Sequence, residues 1–265
     1  MKNVLLKIGI AVVAVAIILV GIFLIKGKTY KKQNPIATIE IEGYDSPIKI
    51  ELDPQSAPNA VANFIKLANN GYYTNFKMSI ESNRIMGDES MQLAKLSNIT
   101  ENPQTDYVYG IKGDFIRNGF ENLLKHQKGV ITMERNDYSY FGYAEEGYNS
   151  ANCNFAILTE DIPNYNGYYA AFGKVKEGMD ILEKIAESRV EEEKTSEDNT
   201  TENTEESNNE SEEKNKITIK SITVDTFGID YGTPEVVNYE ENMEKVNQIY
   251  SQYFGGSAEN TITNE

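Results

Sequence analysis

Five aromatic side chains gather in one stretch of this chain. Residues 134–153, ERNDYSYFGYAEEGYNSANC, place Tyr138, Tyr140, Phe141, Tyr143 and Tyr148 in a glycine-punctuated loop. Rings with a polar tip make large contacts at small entropic cost, so the loop suits contact with peptides. Cys153 is the only cysteine and cannot close an intramolecular disulfide; with His126 the only histidine, there is no His/Cys set to hold zinc. No zinc site is expected. His126, in LLKHQKG, is expected at the surface. A net charge of −16 argues against nucleic acid as a partner, because binding phosphates needs a positive footprint, and it repels anionic lipid too.

Elements that would position these residues can be read from periodicity. IATIEIEG and PIKIELD alternate apolar and polar residues around a turn at Tyr44, Asp45 and Ser46, the pattern of a hairpin with one buried face. Ser56-Ala57-Pro58 opens a helix, with Ser56 as N-cap and Pro58 in the first turn. Val61, Phe64, Ile65 and Leu67 form its core face, and Asn69-Asn70-Gly71 ends it. Toward the C-terminus, Tyr239, Met243, Val246, Tyr250 and Tyr253 recur at spacings of three and four, which predicts one stripe of a helix over residues 235–254.

Two segments lie outside any packed domain. Residues 8–25 are eighteen consecutive apolar or glycine residues, and a helix of that length nearly crosses a ~30 Å hydrocarbon core. Val4, Leu5 and Leu6 extend the span while Lys7 snorkels. A cleaved signal peptide would share the basic start, but Phe23-Leu24-Ile25-Lys26 stands where small cleavage-site residues belong, so an uncleaved anchor over residues 4–25 is expected. Lys26, Lys28, Lys31 and Lys32 follow the span, against Lys2 and Lys7 before it, which by simple count retains the domain in the cytoplasm. Large domains translocate largely regardless of charge, so a single-pass protein with its domain outside the cytoplasm is expected. The second segment, residues 191–216, holds no apolar side chain and is predicted to be a disordered acidic spacer.

Several motifs carry a family resemblance. FGKVKEGMD at residues 172–180 resembles the cyclophilin signature, and other pieces follow in that family's order. They are IEIEGYDSPIKIELDPQSAPNAVANFIKLANNGYY from residue 39, then Phe76, GVITM at 129–133, NFAILTED at 154–161 and ITIKSITVDT at 217–226. The resemblance implies a mainly β fold, a closed antiparallel barrel of about eight strands capped by two α-helices. The implied organisation is anchor and stalk over 1–34, barrel over 35–190, acidic insertion over 191–216, last strand and exit over 217–232, and a C-terminal amphipathic helix with its tail over 233–265.

It also implies peptidyl-prolyl cis-trans isomerase activity on proline-containing or unfolded chains. The peptide-bond barrier is ~18–20 kcal/mol, so a catalyst needs an apolar socket for the ring and a donor for the pyramidal prolyl nitrogen of the twisted state. In the family that donor is the Arg of a Phe-His-Arg strand; here the stretch reads Phe76-Lys77-Met78, and a thioether donates nothing. Losing one preorganised donor costs on the order of 10² to 10³ in rate.

Other groove positions implied by the resemblance are Met86, Met133, Glu134, Arg135, Asn154, Phe155, Ala156, Tyr165 and Tyr169. Asn154 stands for the family's Gln, Ala156 for a socket Phe, Tyr165 for the socket Leu and Tyr169 for a nearby His. The backbone at Glu134 and Arg135 would bind the substrate chain. Arg84, in NRIMG, is the candidate substitute donor. With the missing residue at the family's Gly pair, Arg84 faces the socket beside Met78; with the gap in the turn at Glu81 and Ser82, it points to the other face. A surface Arg paired with Glu81 or Asp88 is the bland alternative. The loop tyrosines likewise either contact peptide or only cover the barrel. A weakened isomerase, a non-catalytic peptide-binding module, and a rigid spacer for the C-terminal helix are the three functional readings.

Overall fold

The computed structural model describes residues 33–88, 90–139, 142–189 and 214–254. The expected anchor at 4–25, nearly all of the acidic insertion, and Tyr140 and Phe141 lie outside these residues. Eight strands form a closed antiparallel barrel: β1 (Ile36–Ile41), β2 (Ile48–Leu52), β3 (Phe76–Ile80), β4 (Arg84–Gly87), β6 (Val130–Met133), β7 (Phe155–Leu158), β8 (Ala171–Glu177) and β9 (Lys216–Asp225). Their order around the wall is β1-β2-β8-β6-β7-β4-β3-β9, and β9 seals the barrel by pairing with both β1 and β3.

Period-two alternation decides which residues fill the interior. The register aligns Ile80, Ile85, Ile157 and Ile131 across β3, β4, β7 and β6, all buried and all pointing inward. Helix α1 (Pro58–Asn69) inserts Phe64 among Tyr73, Phe155 and Phe172 at centroid separations of 5.3–5.4 Å, in edge-on and tilted geometries favoured by ring quadrupoles. Helix α2 (Met179–Glu187) adds Ile181, Leu182 and Ile185 to the same core.

The signature segment has two glycines with a steric task. A Cβ on Gly173 would lie 2.7 Å from the Glu51 carbonyl oxygen and 3.0 Å from Ile131, so only glycine lets β8 seat between β2 and β6. Gly178 turns from β8 into α2 with φ +87°, where a side chain would also press on Ile48.

The helix cap differs from the sequence expectation. Ala57 occupies the N-cap without a side-chain bond, and the Ser56 hydroxyl instead donates to Asp53 Oδ2 at 2.8 Å. The orphan Ala60 N–H is accepted by Asp114 Oδ2 at 2.9 Å, fifty-four residues on. A distant carboxylate at the positive helix end does the work expected of a local serine.

The C-terminal segment also differs. Residues expected as the first turn of a helix form a strand, β10 (Val236–Asn238), paired with β5 (Tyr109–Ile111) in a separate two-stranded sheet. The β-branched Val236 and Val237 favour this extended form. Helix α3 (Tyr239–Phe254) starts after it, with Tyr239, Met243 and Val246 half-buried and Glu240, Glu241, Glu244 and Lys245 exposed. The expected stripe members Tyr250 and Tyr253 have side chains outside the described set.

Candidate functional site

Strand β3 alternates Phe76, Met78 and Ile80 inward with Lys77 and Ser79 outward. Met78 is 1 % exposed and belongs to the barrel core, as do Phe76, Met133 and Phe155. These four, assigned to the groove from the resemblance, therefore line the interior: each sits on the face that β-alternation turns away from solvent. Phe76 and Phe155 stack at 6.1 Å inside the barrel. The outward cation on β3 is Lys77, a residue that position matching passed over although the FKMSI alternation marks it.

The outer face of the same strands is the candidate site. One register step from the isoleucines, Ser79, Met86, Ala156 and Thr132 align across β3, β4, β7 and β6. At the end of this row, Asp88 accepts from the Ser79 and Ser90 hydroxyls and lies 3.3 Å from Lys216 Nζ. Burial would raise its carboxyl, but these bonds outweigh that and hold it at about 2, so it stays ionised. Asn154 packs its side chain against Gly87, where a Cβ would come within 2.7 Å of it.

Arg84 projects from β4 on this outer face, opposite Leu158. It is not beside Met78, which is inside, nor is it paired with Glu81 or Asp88. Its Nη1 donates to Asn83 Oδ1 at 3.1 Å, its guanidinium lies 6.0 Å from the Tyr165 ring, and its Nε stands 3.8 Å from Glu134 Oε1. Arg84 Nε and Glu134 Oε1 are both buried without a hydrogen-bond partner. Burial pushes the Glu134 carboxyl up, while Arg84 and Arg135 pull it down. Of the backbone groups at Glu134 and Arg135 expected to bind substrate, the Glu134 N–H already donates to the Asn154 carbonyl at 3.0 Å.

Tyrosines extend the face. Tyr165 and Tyr169 stack at 4.0 Å with an interplanar angle of 17°. Arg135 sits in a box of rings, 4.6 Å from Tyr169, 5.3 Å from Tyr148 and 5.6 Å from Phe115, and its Nε donates to the Tyr168 carbonyl at 2.8 Å. Arg84, Glu134, Arg135, Tyr165 and Tyr169 are thus brought together.

His126 is a correction: it is 2 % exposed rather than at the surface. Its ring lies 3.2 Å from Asn166 Oδ1 through Nδ1 and 3.1 Å from the Thr132 hydroxyl through Nε2, fitting a donor at Nδ1 and an acceptor at Nε2. Desolvation lowers its pKa to about 4, so the ring is neutral at pH 7. Tyr165 meets it edge-on at 5.7 Å. Thr132 and Ala156 have no exposed surface, and His126 packs on Thr132. Cys153 is buried and its thiol is pushed up by burial, so it is not a nucleophile at neutral pH.

A closed eight-stranded antiparallel barrel, plugged by an aromatic-bearing helix and carrying a guanidinium among rings on its outer wall, defines the class of protein. The chain belongs to the cyclophilin-type peptidyl-prolyl cis-trans isomerase family: the model described as "Cyclophilin type peptidyl-prolyl cis-trans isomerase/CLD" matches residues 36–224. The chain is 30 % identical over 144 residues to peptidyl-prolyl cis-trans isomerase B of Bacillus subtilis, covering 54 % of this chain and 85 % of that protein. It is 30 % identical over 147 residues to peptidyl-prolyl cis-trans isomerase-like 2 of Aspergillus oryzae, spanning 54 % of this chain but only 22 % of that much longer relative. Among solved structures, a Cryptosporidium parvum cyclophilin-type isomerase aligns with 72 % of this chain and 96 % of its own, at 20 % identity and a TM-score of 0.48.

Proposed function

We propose that this protein catalyses cis-trans isomerisation of X-Pro bonds in exposed or unfolded segments, with a degenerate catalytic set in which Arg84 is the donor. Beyond family membership, one observation carries this reading: Arg84 Nε is a buried N–H with no acceptor, on the outer wall of β4. A preorganised donor of this kind gains most from a partner that appears only in the twisted state, when the prolyl nitrogen loses conjugation and accepts a hydrogen bond. Glu134 and Tyr165 hold the guanidinium from two sides. Neither metal nor cofactor has a role here, since isomerisation breaks no covalent bond. The apolar run over residues 8–25, extended by Val4, Leu5 and Leu6, supports a membrane tether, with the barrel outside the cytoplasm.

The full chain, mixed with a short Ala-Pro peptide, is to be followed by exchange NMR. Catalysed exchange that falls at least tenfold in Arg84→Ala supports the assignment; exchange no faster than in buffer removes the enzyme reading. Protease accessibility of the barrel on intact cells decides the membrane side.

A second reading, a non-catalytic peptide-binding module, is favoured by the cover over the socket row. Ala156 stands where the resemblance implies a socket Phe, and neither it nor Thr132 reaches solvent. A proline ring reaches these two only if the groups packed on them, His126 on Thr132 among them, move aside. Peptide binding without accelerated exchange would select this reading.

A further inference from the structure

Arginine is scarce here: four among 265 residues in a chain of net charge −16. Three of the four, Arg84, Arg117 and Arg135, converge on one short segment. Each lies over a different tyrosine of it, Arg84 over Tyr165 at 6.0 Å, Arg117 over Tyr168 at 5.1 Å and Arg135 over Tyr169 at 4.6 Å. The segment is fixed under them, because Gly167 accepts the Arg117 backbone N–H at 2.9 Å and the Tyr168 carbonyl accepts Arg135 Nε. Cations on ring faces are held in place without being neutralised.

Carboxylates cancel only part of this array: Arg84 is paired with Glu134 at 3.8 Å. Glu134 lies between Arg84 and Arg135, and Asp137 acts on Arg135 from the loop, but neither Arg117 nor Arg135 forms an ion pair within 4.0 Å among the described residues. Arg117 is exposed, and the apolar Ile116 and Tyr168 beside it are 55 % and 38 % exposed. A cationic ridge with an apolar shoulder therefore borders the outer-wall site of an otherwise strongly acidic molecule.

We infer that this ridge selects acidic peptides: segments carrying a glutamate or aspartate within a few residues of the proline, next to an apolar side chain that rests on Ile116 and Tyr168. The inference rests on the isomerase or peptide-binding reading of the same face and adds its substrate class. Guanidinium forks match carboxylates in charge and geometry. The molecule's overall negative field disfavours acidic chains elsewhere on the surface, so the ridge gives register as well as attraction.

Three fluorescein-labelled heptapeptides, Ala-Ala-Xaa-Ala-Pro-Phe-Ala with Xaa as Glu, Gln or Lys, are titrated with the full chain by fluorescence anisotropy at low and high salt. The expected order is Glu, then Gln, then Lys, with about tenfold between the extremes at low salt and a collapse of that ratio in 0.5 M NaCl, as for rim charges. Arg117→Gln is expected to lower the Glu-to-Lys ratio by roughly two- to fivefold, and Arg117→Lys to restore most of it. Equal affinity for the three peptides, or a ratio unchanged in Arg117→Gln, overturns the inference. Failure of the isomerase reading is seen separately: exchange NMR on the Gln peptide reports catalysis whatever the charge preference, and a Glu preference without exchange leaves the inference standing on the module reading.

Discussion

The inner and outer faces of β3, β4, β6 and β7 are made by the same four strands, one register step apart, yet they follow different rules. The inner row is four isoleucines backed by an aromatic cluster of Phe64, Tyr73, Phe76, Phe155 and Phe172. The outer row is Ser79, Met86, Ala156 and Thr132: Ser79 and Met86 are half-buried, and Thr132 is contacted by His126, which Tyr165 meets edge-on. Interior packing tolerates little change without a cavity, whereas the outer wall carries groups that form ion pairs, stack and titrate. One set of strands thus serves close packing on one face and polar chemistry on the other.

That contrast can be broken by experiment. Phe155→Ala is expected to cost about 3–5 kcal/mol of stability, read by chemical denaturation, against about 1–2 kcal/mol for Tyr165→Ala on the outer wall. Equal losses would mean the outer face is core in all but position. Arg84→Ala is expected to slow catalysed exchange by about 10²- to 10³-fold.

Two buried titratable groups sharpen the comparison through pH. His126 falls from 6.5 unfolded to about 4 folded, so it adds stability that is present above pH 6.5 and lost as pH falls toward 4. Asp114, at the α1 cap, is raised by burial from 3.8 to about 6, so its contribution is present below pH 3.8 and lost as pH rises through 6. The two slopes oppose one another between pH 4 and 6 and offset in part there. In His126→Asn the histidine slope disappears, and stability should fall on raising pH from 4 to 6, by on the order of 1–2 kcal/mol. A profile unchanged by the substitution would show that the outer cover does not bury its histidine. The smallest effect is expected for Asn136→Ala. It removes the 2.8 Å bond donated to the Tyr239 hydroxyl, and amides of β10 and α3 should exchange roughly fivefold faster, an effect of about 1 kcal/mol.

The frame was legible because period-two runs such as FKMSI and IKIEL state their own inward face, and because FGKVKEGMD holds glycines at a close approach and a left-handed turn. The site was less legible for the same reason. Matching Met78 to a family arginine set a position against a pattern, and alternation across β3 had already placed that side chain inside. His126 looked exposed within LLKHQKG because its partners, Thr132 and Asn166, are six and forty residues away. The α1 cap by Asp114 and the strand at Val236–Asn238 depend on contacts of still longer range, which no local window contains.

Strand β9 sits between β1 and β3, so the seam of the barrel is sewn by residues 216–225 after everything else is in place. During synthesis, β1 is complete at residue 41 and β3 at residue 80, and both keep one bare edge of N–H and C=O groups until the ribosome has delivered the strand beyond the acidic spacer. A chain cut short of residue 216 is accordingly an open sheet with two sticky edges and not a slightly smaller barrel. Premature termination there should produce aggregation rather than a trimmed, working protein.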